Sequence, residues 1–357
     1  MDNKKKALIA MSGGVDSSVA ALLMKQQDYD CTGITMKLYN NEATENCENT
    51  CCSVDDIADA RAVCDKLKIP YYVFNFSDSF DKEVIRRFID AYENGSTPNP
   101  CIDCNRYIKF NRLMQRMKEL KMDYVVTGHY ARIEYNNKTN RYELKKAVDD
   151  TKDQSYVLYN LTQEQLAHTL FPLGTLTKVQ ARELAENNDF INSKKQDSQD
   201  ICFVPNGKYA EFIENYTGKK YPEGDFVDLK GNVLGQHKGI IRYTIGQRKG
   251  LGLALPAPMY VCNKDLENNK VVLCSNEELF SKELYANNIN LISCESIDEP
   301  MRVYARVRYN QKEQPATATQ IGDRLHIVFD EPQRAISKGQ AVVLYDGDIV
   351  VGGGTIE

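Results

Sequence analysis

The sequence predicts an α/β protein: a doubly wound parallel sheet followed by a small β-rich central domain and a C-terminal β-barrel. Three observations predict it. The first two hundred residues alternate short apolar runs with stretches of helical spacing, the pattern of parallel strands joined by crossover helices. A glycine-serine turn links the first apolar run to the first helix. Beyond about Phe203 the helical spacing stops, and short alternating strands separated by Gly, Asn and Asp turns take over.

In chain order, Ala7–Met11 reads as the first strand, Val19–Lys25 as the first helix and Cys31–Leu38 as the second strand. Asp55–Lys66 is the second helix and Tyr71–Phe76 the third strand. Ser79–Glu93 and Asn105–Lys121 carry helical spacing, and Tyr124–Thr127 is a further buried strand. Such sheets bind ligands beyond the carboxyl ends of their strands. Hairpins follow at Phe226–Leu234, around Lys230-Gly231-Asn232, and at Tyr260–Cys274, around Asn268-Asn269. The strands Leu284–Ile292, Arg302–Tyr309 and Leu325–Phe329 come next, and Val342–Tyr345 turns across Asp346-Gly347-Asp348 into Ile349–Val351. The expected domains are 1–205, 206–280 and 281–357.

Composition narrows the function. With 42% hydrophobic and 27% charged residues over 357 positions, the chain is neither disordered nor a simple repeat. Lys and Arg number 45 against 50 Asp and Glu, a net charge of −5, so contact with a polyanion must come from local patches. No apolar run approaches the roughly 20 residues of a membrane span, and the basic start runs into the glycine turn instead of a signal sequence. The expectation is a cytoplasmic protein without a membrane partner. In that reducing compartment the 11 cysteines are buried, metal-binding or catalytic. The 4 histidines, His129, His168, His237 and His326, lack metal-ligand spacing.

Ser12-Gly13-Gly14-Val15-Asp16-Ser17-Ser18 stands between the first strand and the first helix. Two glycines bring backbone N–H groups close to an anion, and Ser17 and Ser18 add hydroxyls at a helix N-terminus, where the dipole favours phosphate. The lysine of the common kinase and GTPase phosphate loop is missing. The stretch resembles the pyrophosphatase (PP) loop of ATP-dependent adenylating enzymes. That resemblance implies ATP and magnesium as cofactors, with Ala10, Met11 and Ser12–Ser18 (Gly13, Gly14, Val15, Asp16 and Ser17 among them) holding ATP. Met36, ending the second strand, and Gly128 lie where such a fold holds adenosine.

Two cysteines suit chemistry. Asn99-Pro100-Cys101-Ile102-Asp103-Cys104 immediately precedes a helix, whose dipole stabilises a thiolate. Far along the chain, Asp197-Ser198-Gln199-Asp200-Ile201-Cys202-Phe203 places another cysteine in a polar loop after Lys194 and Lys195. Cys104 and Cys202 suit sulfur transfer, one carrying a persulfide while the other assists or forms a disulfide. Cys31, Cys64, Cys262, Cys274 and Cys294 are expected to be buried, and Cys47, Cys51 and Cys52 stay unassigned.

Together these strings resemble bacterial tRNA-specific 2-thiouridylases, which exchange the 2-oxygen of the wobble uridine for sulfur. The resemblance extends through Thr97-Pro98-Asn99-Pro100, Cys104-Asn105, Ile108-Lys109-Phe110 and Thr127-Gly128-His129-Tyr130-Ala131-Arg132. It continues through Lys152-Asp153-Gln154-Ser155-Tyr156, Ile201-Cys202-Phe203, Tyr243–Gly252 and Gly352-Gly353-Gly354. It implies Cys104 as nucleophile, Cys202 as persulfide carrier, and Asn99, Pro100 and Cys101 against the target base, with His129 facing the substrate. Lys152, Asp153, Gln154, Arg308, Tyr309 and Gln340 would meet tRNA. A persulfide donor, such as a cysteine desulfurase or a sulfur relay protein, is implied as a partner.

One departure stands out. Where many members carry Asp, this chain has Cys101, so that carboxylate is absent or replaced by Asp103. Cys101, Cys104 and Cys202 then form a candidate ligand set for a [4Fe–4S] cluster. Arg106, Lys109, Arg112 and Arg116 are expected on one helix face with Phe110, Leu113, Met117 and Leu120 inward. Arg302, Tyr304, Arg306 and Arg308 are expected on one strand face. Two other functions compete: an amide-forming ATP pyrophosphatase acting on a small metabolite, and a non-catalytic RNA- or iron–sulfur-binding protein.

Overall fold

The structure is a computed structural model that describes residues 4–39, 54–197, 201–204 and 207–357. Cys47, Cys51 and Cys52, residues 198–200 and the expected boundary at 205 lie outside the described residues.

The first apolar run forms β1 (Lys6–Ala10), buried because strands on both sides cover it. α1 (Val15–Gln26) begins four residues earlier than the apolar spacing alone suggests, because Gly14 already serves as its N-cap. Then come β2 (Asp30–Lys37), α2 (Val54–Leu67) and β3 (Tyr71–Asn75). The next helical run is broken into α3 (Ser77–Phe80), a π segment (Asp81–Ile85) and α4 (Arg86–Glu93). Another joins α5 (Pro100–Asp103), a π segment (Cys104–Arg112) and α6 (Leu113–Glu119). After β4 (Tyr124–Val126) follow β5 (Arg132–Asn136), β6 (Arg141–Lys145), α7 (Gln163–Ala167), β7 (Thr169–Leu170) and α8 (Lys178–Asn187). The five strands β3-β2-β1-β4-β7 pair in parallel.

The π segment alters the expected helix faces. Phe110, Leu113 and Met117 are buried as expected, but Leu120, just past the end of α6, is 47% exposed. In the basic row, Lys109 lies against His129 and Arg116 pairs with Glu119.

α9 (Tyr209–Thr217) leads into a four-stranded sheet of β8 (Gly224–Val227), β9 (Val233–His237), β10 (Tyr260–Asp265) and β11 (Lys270–Cys274). The expected hairpins are its β8–β9 and β10–β11 pairs. The last six strands are β12 (Phe280–Leu291), β13 (Met301–Arg306), β14 (Gln314–Ile321), β15 (Arg324–Arg334), β16 (Ala341–Asp346) and β17 (Ile349–Ile356). β12 pairs with both β15 and β17, which closes an antiparallel six-stranded barrel. Sequence reading missed β14 and the β5–β6 hairpin, and β6 joins the barrel wall beside β17. The barrel docks closely: a Cβ at Gly353 would lie 2.9 Å from the Tyr159 ring, and Asn290 Nδ2 donates to the Tyr159 carbonyl at 2.7 Å.

One apolar cluster joins the first and middle modules. Phe80, Phe88 and Phe203 pack edge to face there with Cys104, Phe226, Tyr243 and Val261. Each such side chain contributes about 1.5–3 kcal/mol by leaving water, so the cluster fixes the Cys202 segment beside the Cys104 helix.

Candidate active site

β1 delivers Ala10 and Met11 to the carboxyl edge of the sheet, where Ser12–Ser18 turns into α1. Met11 N–H donates to the Ile34 carbonyl, and Thr35 Oγ1 donates to the Met11 carbonyl, each at 2.7 Å. Gly13 has φ +73°, and a Cβ there would sit 2.3 Å from the Asp56 carbonyl oxygen. Gly14 supplies no side-chain cap, so none competes with an anion for the first-turn N–H groups. Ser17 and Ser18 hydroxyls donate to the Gly14 carbonyl at 3.0 Å, and Ser12 N–H donates to Ser17 Oγ at 3.1 Å. Buried Asn192 donates from Nδ2 to the Gly13 carbonyl and to Ser18 Oγ, both at 2.9 Å.

A charge network borders the loop. Asp16 accepts from the Tyr130 hydroxyl at 2.8 Å and from Lys178 Nζ at 2.7 and 2.8 Å. Lys178 also reaches Asp197 at 2.7 Å, and Asp197 pairs with Lys152 at 2.8 Å and Arg182 at 3.0 Å. Burial pushes the Asp197 carboxyl up, but Lys152 and Lys178 outweigh it and hold the group below its usual range. Lys195 bridges Asp56 and Asp59 at 2.7 and 2.6 Å. Sequence reasoning missed Lys178, Arg182 and Asn192, which follow the loop by more than 150 residues. The one signal was Thr177-x-x-Gln180, a capping box that starts α8 at Lys178.

Gly128 lets β4 meet the loop: a Cβ there would lie 2.8 Å from the Asp16 carbonyl carbon and the Ser17 nitrogen. Next to it, His129 is buried between Phe110 and Phe171. Burial, then the charge of Lys109, push its pKa well down. The ring is therefore neutral at pH 7. Its Nε2 lies 3.5 Å from Lys109 Nζ and its Nδ1 2.7 Å from Thr127 Oγ1, so Nε2 is assigned as acceptor and Nδ1–H as donor. Lys109 belongs to the π segment opened by Cys104. Gly128, His129 and Lys109 thus link the loop to the Cys104 helix. Met36 packs on the cluster that contains Cys104.

Cys104 is buried in that cluster and Cys202 packs half-buried against it. The Cys202 carbonyl accepts from the Tyr39 hydroxyl at 3.3 Å. Cys101 is exposed. Among the described residues no three Cys, His, Asp or Glu side chains gather to hold a metal ion. Helix geometry leaves Cys101 exposed and turns Cys104 into the apolar cluster. Asp103, the carboxylate expected as the replacement, is the last residue of α5. It lines a cavity of about 480 Å³ with Arg87, Asn99, Arg106, Tyr107 and Tyr159. Burial pushes its carboxyl up to about 6 despite Arg87 and Arg106. Cys31, Cys64 and Cys274 are buried and their thiols pushed up to about 11, 12 and 12, the environment of inert cysteines. Cys262 and Cys294 are half-buried, contrary to the expected burial.

The residues expected to meet tRNA are spread along one junction. Asn99 caps α5 by accepting from Cys101 N–H, and Pro100 is the first residue of that helix. Lys152 is partly exposed beside Asp197. Asp153 is buried and accepts from Ala147 N–H and the Ser155 hydroxyl. Gln154 Oε1 accepts from Tyr130 N–H, and Gln340 Nε2 donates to the Thr97 carbonyl. Arg308 donates to the carbonyls of Ile245 and Ala335 and to Ser337 Oγ, tying the middle module to the barrel. Tyr309 lies beside Tyr156 and Arg306. The expected basic strand face is not a free one: Arg302 pairs with Asp330 and Arg306 with Asp153, because neighbouring strands and loops supply the acids.

Fold and loop define a HUP-domain protein extended by two β modules. Residues 5–206 match the family described as tRNA methyl transferase HUP domain, 210–275 the tRNA methyl transferase PRC-barrel domain, and 281–356 the aminomethyltransferase beta-barrel domain. The chain is 54% identical to the tRNA-specific 2-thiouridylase MnmA of Clostridioides difficile, over 99% of this chain and 98% of that one. It is 52% identical to the protein of the same name from Acetivibrio thermocellus, over 99% and 100%, respectively. The tRNA-specific 2-thiouridylase MnmA 1 of a Thermoanaerobacter species is 51% identical, over 100% and 99%. The chain belongs to the tRNA-specific 2-thiouridylase family. Among the described residues no helix is long and apolar enough to cross a membrane.

Proposed function

We propose that the chain is an ATP-dependent sulfurtransferase that replaces the 2-oxygen of the tRNA wobble uridine with sulfur. The observation that carries this reading is the shared apolar cluster of Cys104 and Cys202, linked through Lys109, His129 and Gly128 to an uncapped glycine-serine loop. A paired thiol beside such a loop has no use in methyl transfer or amide formation, and both uses in thiolation.

ATP lies with its phosphates on Ser12–Ser18 and its adenosine between Met36 and Gly128. The uracil 2-oxygen bonds to the α-phosphorus, the N3 proton is lost, and pyrophosphate leaves with the electron pair of the broken bond. The terminal sulfur of a Cys202 persulfide then attacks C2, and the C2–O bond breaks as AMP departs. Cys104 thiolate attacks Cys202 Sγ and breaks the S–S bond. Thiouridine leaves, and the resulting Cys104–Cys202 disulfide takes two electrons from a thiol reductant. A sulfur-carrying protein or desulfurase reloads Cys202.

No step is assigned to an iron–sulfur cluster or to Cys101. Magnesium fits as an ion carried on the ATP phosphates, because Asp16 is engaged by Lys178 and Tyr130 and no ligand cage exists among the described residues. Residues 1–205 act as the catalytic part, with 206–280 and 281–357 as tRNA-docking modules. Lys152 and Asn99 offer tRNA contacts, while Pro100, Asp153, Gln154, Arg308, Tyr309 and Gln340 shape the surface behind them.

The test incubates the protein with unmodified tRNA, ATP, magnesium and a persulfide donor, and reads thiouridine by mass spectrometry of the digested tRNA. Thiouridine should form, and should vanish with Cys104→Ser and with Cys202→Ser. Thiolation that survives both substitutions, or ATP turnover indifferent to tRNA, overturns the reading.

A further inference from the structure

The glycine-serine loop carries no lysine of its own, and the fold brings one to it from α8. Lys178 opens that helix behind the Thr177–Gln180 capping box, and its backbone N–H donates to Asp149 Oδ2 at 2.9 Å. The residue is only 8% exposed. Its Nζ lies 2.7 and 2.8 Å from the two Asp16 carboxylate oxygens and 2.7 Å from Asp197. Asp16 sits in the first turn of α1, the helix end that the loop wraps.

Structure alone does not require so deep a cation there. The Tyr130 hydroxyl already donates to Asp16, and Lys152 and Arg182 already neutralise Asp197. Burying an ammonium is costly unless it is fully paired, and this one is held where an uncapped helix end favours anions.

We propose that Lys178 is the phosphate-binding lysine of this loop, supplied from α8. When ATP binds, the ammonium turns one of its three donors from Asp16 to the β- and γ-phosphate oxygens. It stays protonated while the bond from the α-phosphorus to the bridging oxygen breaks, and it neutralises the charge that pyrophosphate keeps. Lys178 is thus a catalytic residue for the adenylation half-reaction. The inference rests on the ATP-dependent reading above but not on the identity of the RNA.

The contact is to the outer phosphates alone, which makes it separable from a structural role. Titration calorimetry on the full chain with magnesium compares ATP, inorganic pyrophosphate and AMP. With Lys178→Met, ATP and pyrophosphate affinities should fall about 10- to 100-fold, the range for a hydrogen bond to a charged group, while AMP affinity stays within about threefold. If Lys178→Met does not fold, Lys178→Arg carries the test and should favour ATP over AMP as the parent does. Equal loss of ATP and AMP binding, or unchanged ATP binding in Lys178→Met, would overturn the proposal. Because the readout is nucleotide binding, it stands or falls separately from thiolation.

Discussion

Gly13 and Gly14 are adjacent in sequence and unequal in structure, which yields a sharp test of the loop's geometry. At Gly13, φ is +73° and a Cβ would stand 2.3 Å from the Asp56 carbonyl oxygen and 2.7 Å from its Cα, both backbone atoms that cannot swing aside. Gly13→Ala therefore meets two penalties. The left-handed conformation costs about 1–2 kcal/mol, and overpacking against fixed backbone costs about 1–3 kcal/mol. The sum is about 2–5 kcal/mol. At Gly14, φ is −92°, and the Cβ meets only Ser12 Oγ at 3.5 Å, ordinary contact. Gly14→Ala should cost no more than about 1 kcal/mol, mostly through a poorer N-cap. The chain has no tryptophan, so urea unfolding is best followed by far-ultraviolet circular dichroism. Gly13→Ala should also lose ATP binding, since either relief of the clash moves the loop or α2. Equal midpoints for the two variants would refute the reasoning.

Other outcomes follow from the same coordinates. Cys101 lies outside the thiol cluster, so Cys101→Ser should keep thiolation within about tenfold, measured as thiouridine formed per minute, while Cys104→Ser and Cys202→Ser abolish it. Asp103, pushed up to about 6 by burial against an ordinary 3.8, holds its proton more tightly folded than unfolded. Its contribution is full below about pH 4 and is lost as pH rises through about 6, a swing of about 3 kcal/mol that Asp103→Asn should erase from urea-unfolding curves. Arg308→Gln removes donors from two carbonyls and a hydroxyl. It should cost about 1–3 kcal/mol of stability while the slope of tRNA affinity against salt stays the same, whereas loss of a phosphate contact lowers that slope by about 1.

Much of this fold was legible because its cues are local. Strand runs at Ala7–Met11 and Cys31–Leu38 needed only a count of apolar residues, and Asn268-Asn269 announced its hairpin. The glycine-serine loop was legible for the same reason, being contiguous. What escaped was non-local or broke the assumed period. The helix through Cys104–Arg112 ends at Glu119, one residue before Leu120, which therefore came out exposed. Lys178 and Asn192 each look like ordinary surface or loop residues until chain topology sets them against Ser12–Ser18. Arg308 alternates with Val307 as a solvent-facing cation would, but its donors go to the Ile245 carbonyl of the middle module and to Ala335 and Ser337 of the barrel. Cys101 and Cys104, three residues apart, face different surroundings, a distinction that spacing does not carry.

In the proposed reaction ATP removes the carbonyl oxygen which sulfur replaces. Its most direct test follows that oxygen. A tRNA carrying ¹⁸O at C2 of the wobble uracil is thiolated with unlabelled ATP in ordinary water, and the products are weighed by mass spectrometry. One ¹⁸O should appear in AMP for each thiouridine formed, with none in pyrophosphate. Label released into water, or recovered in pyrophosphate while thiouridine accumulates, would contradict the account.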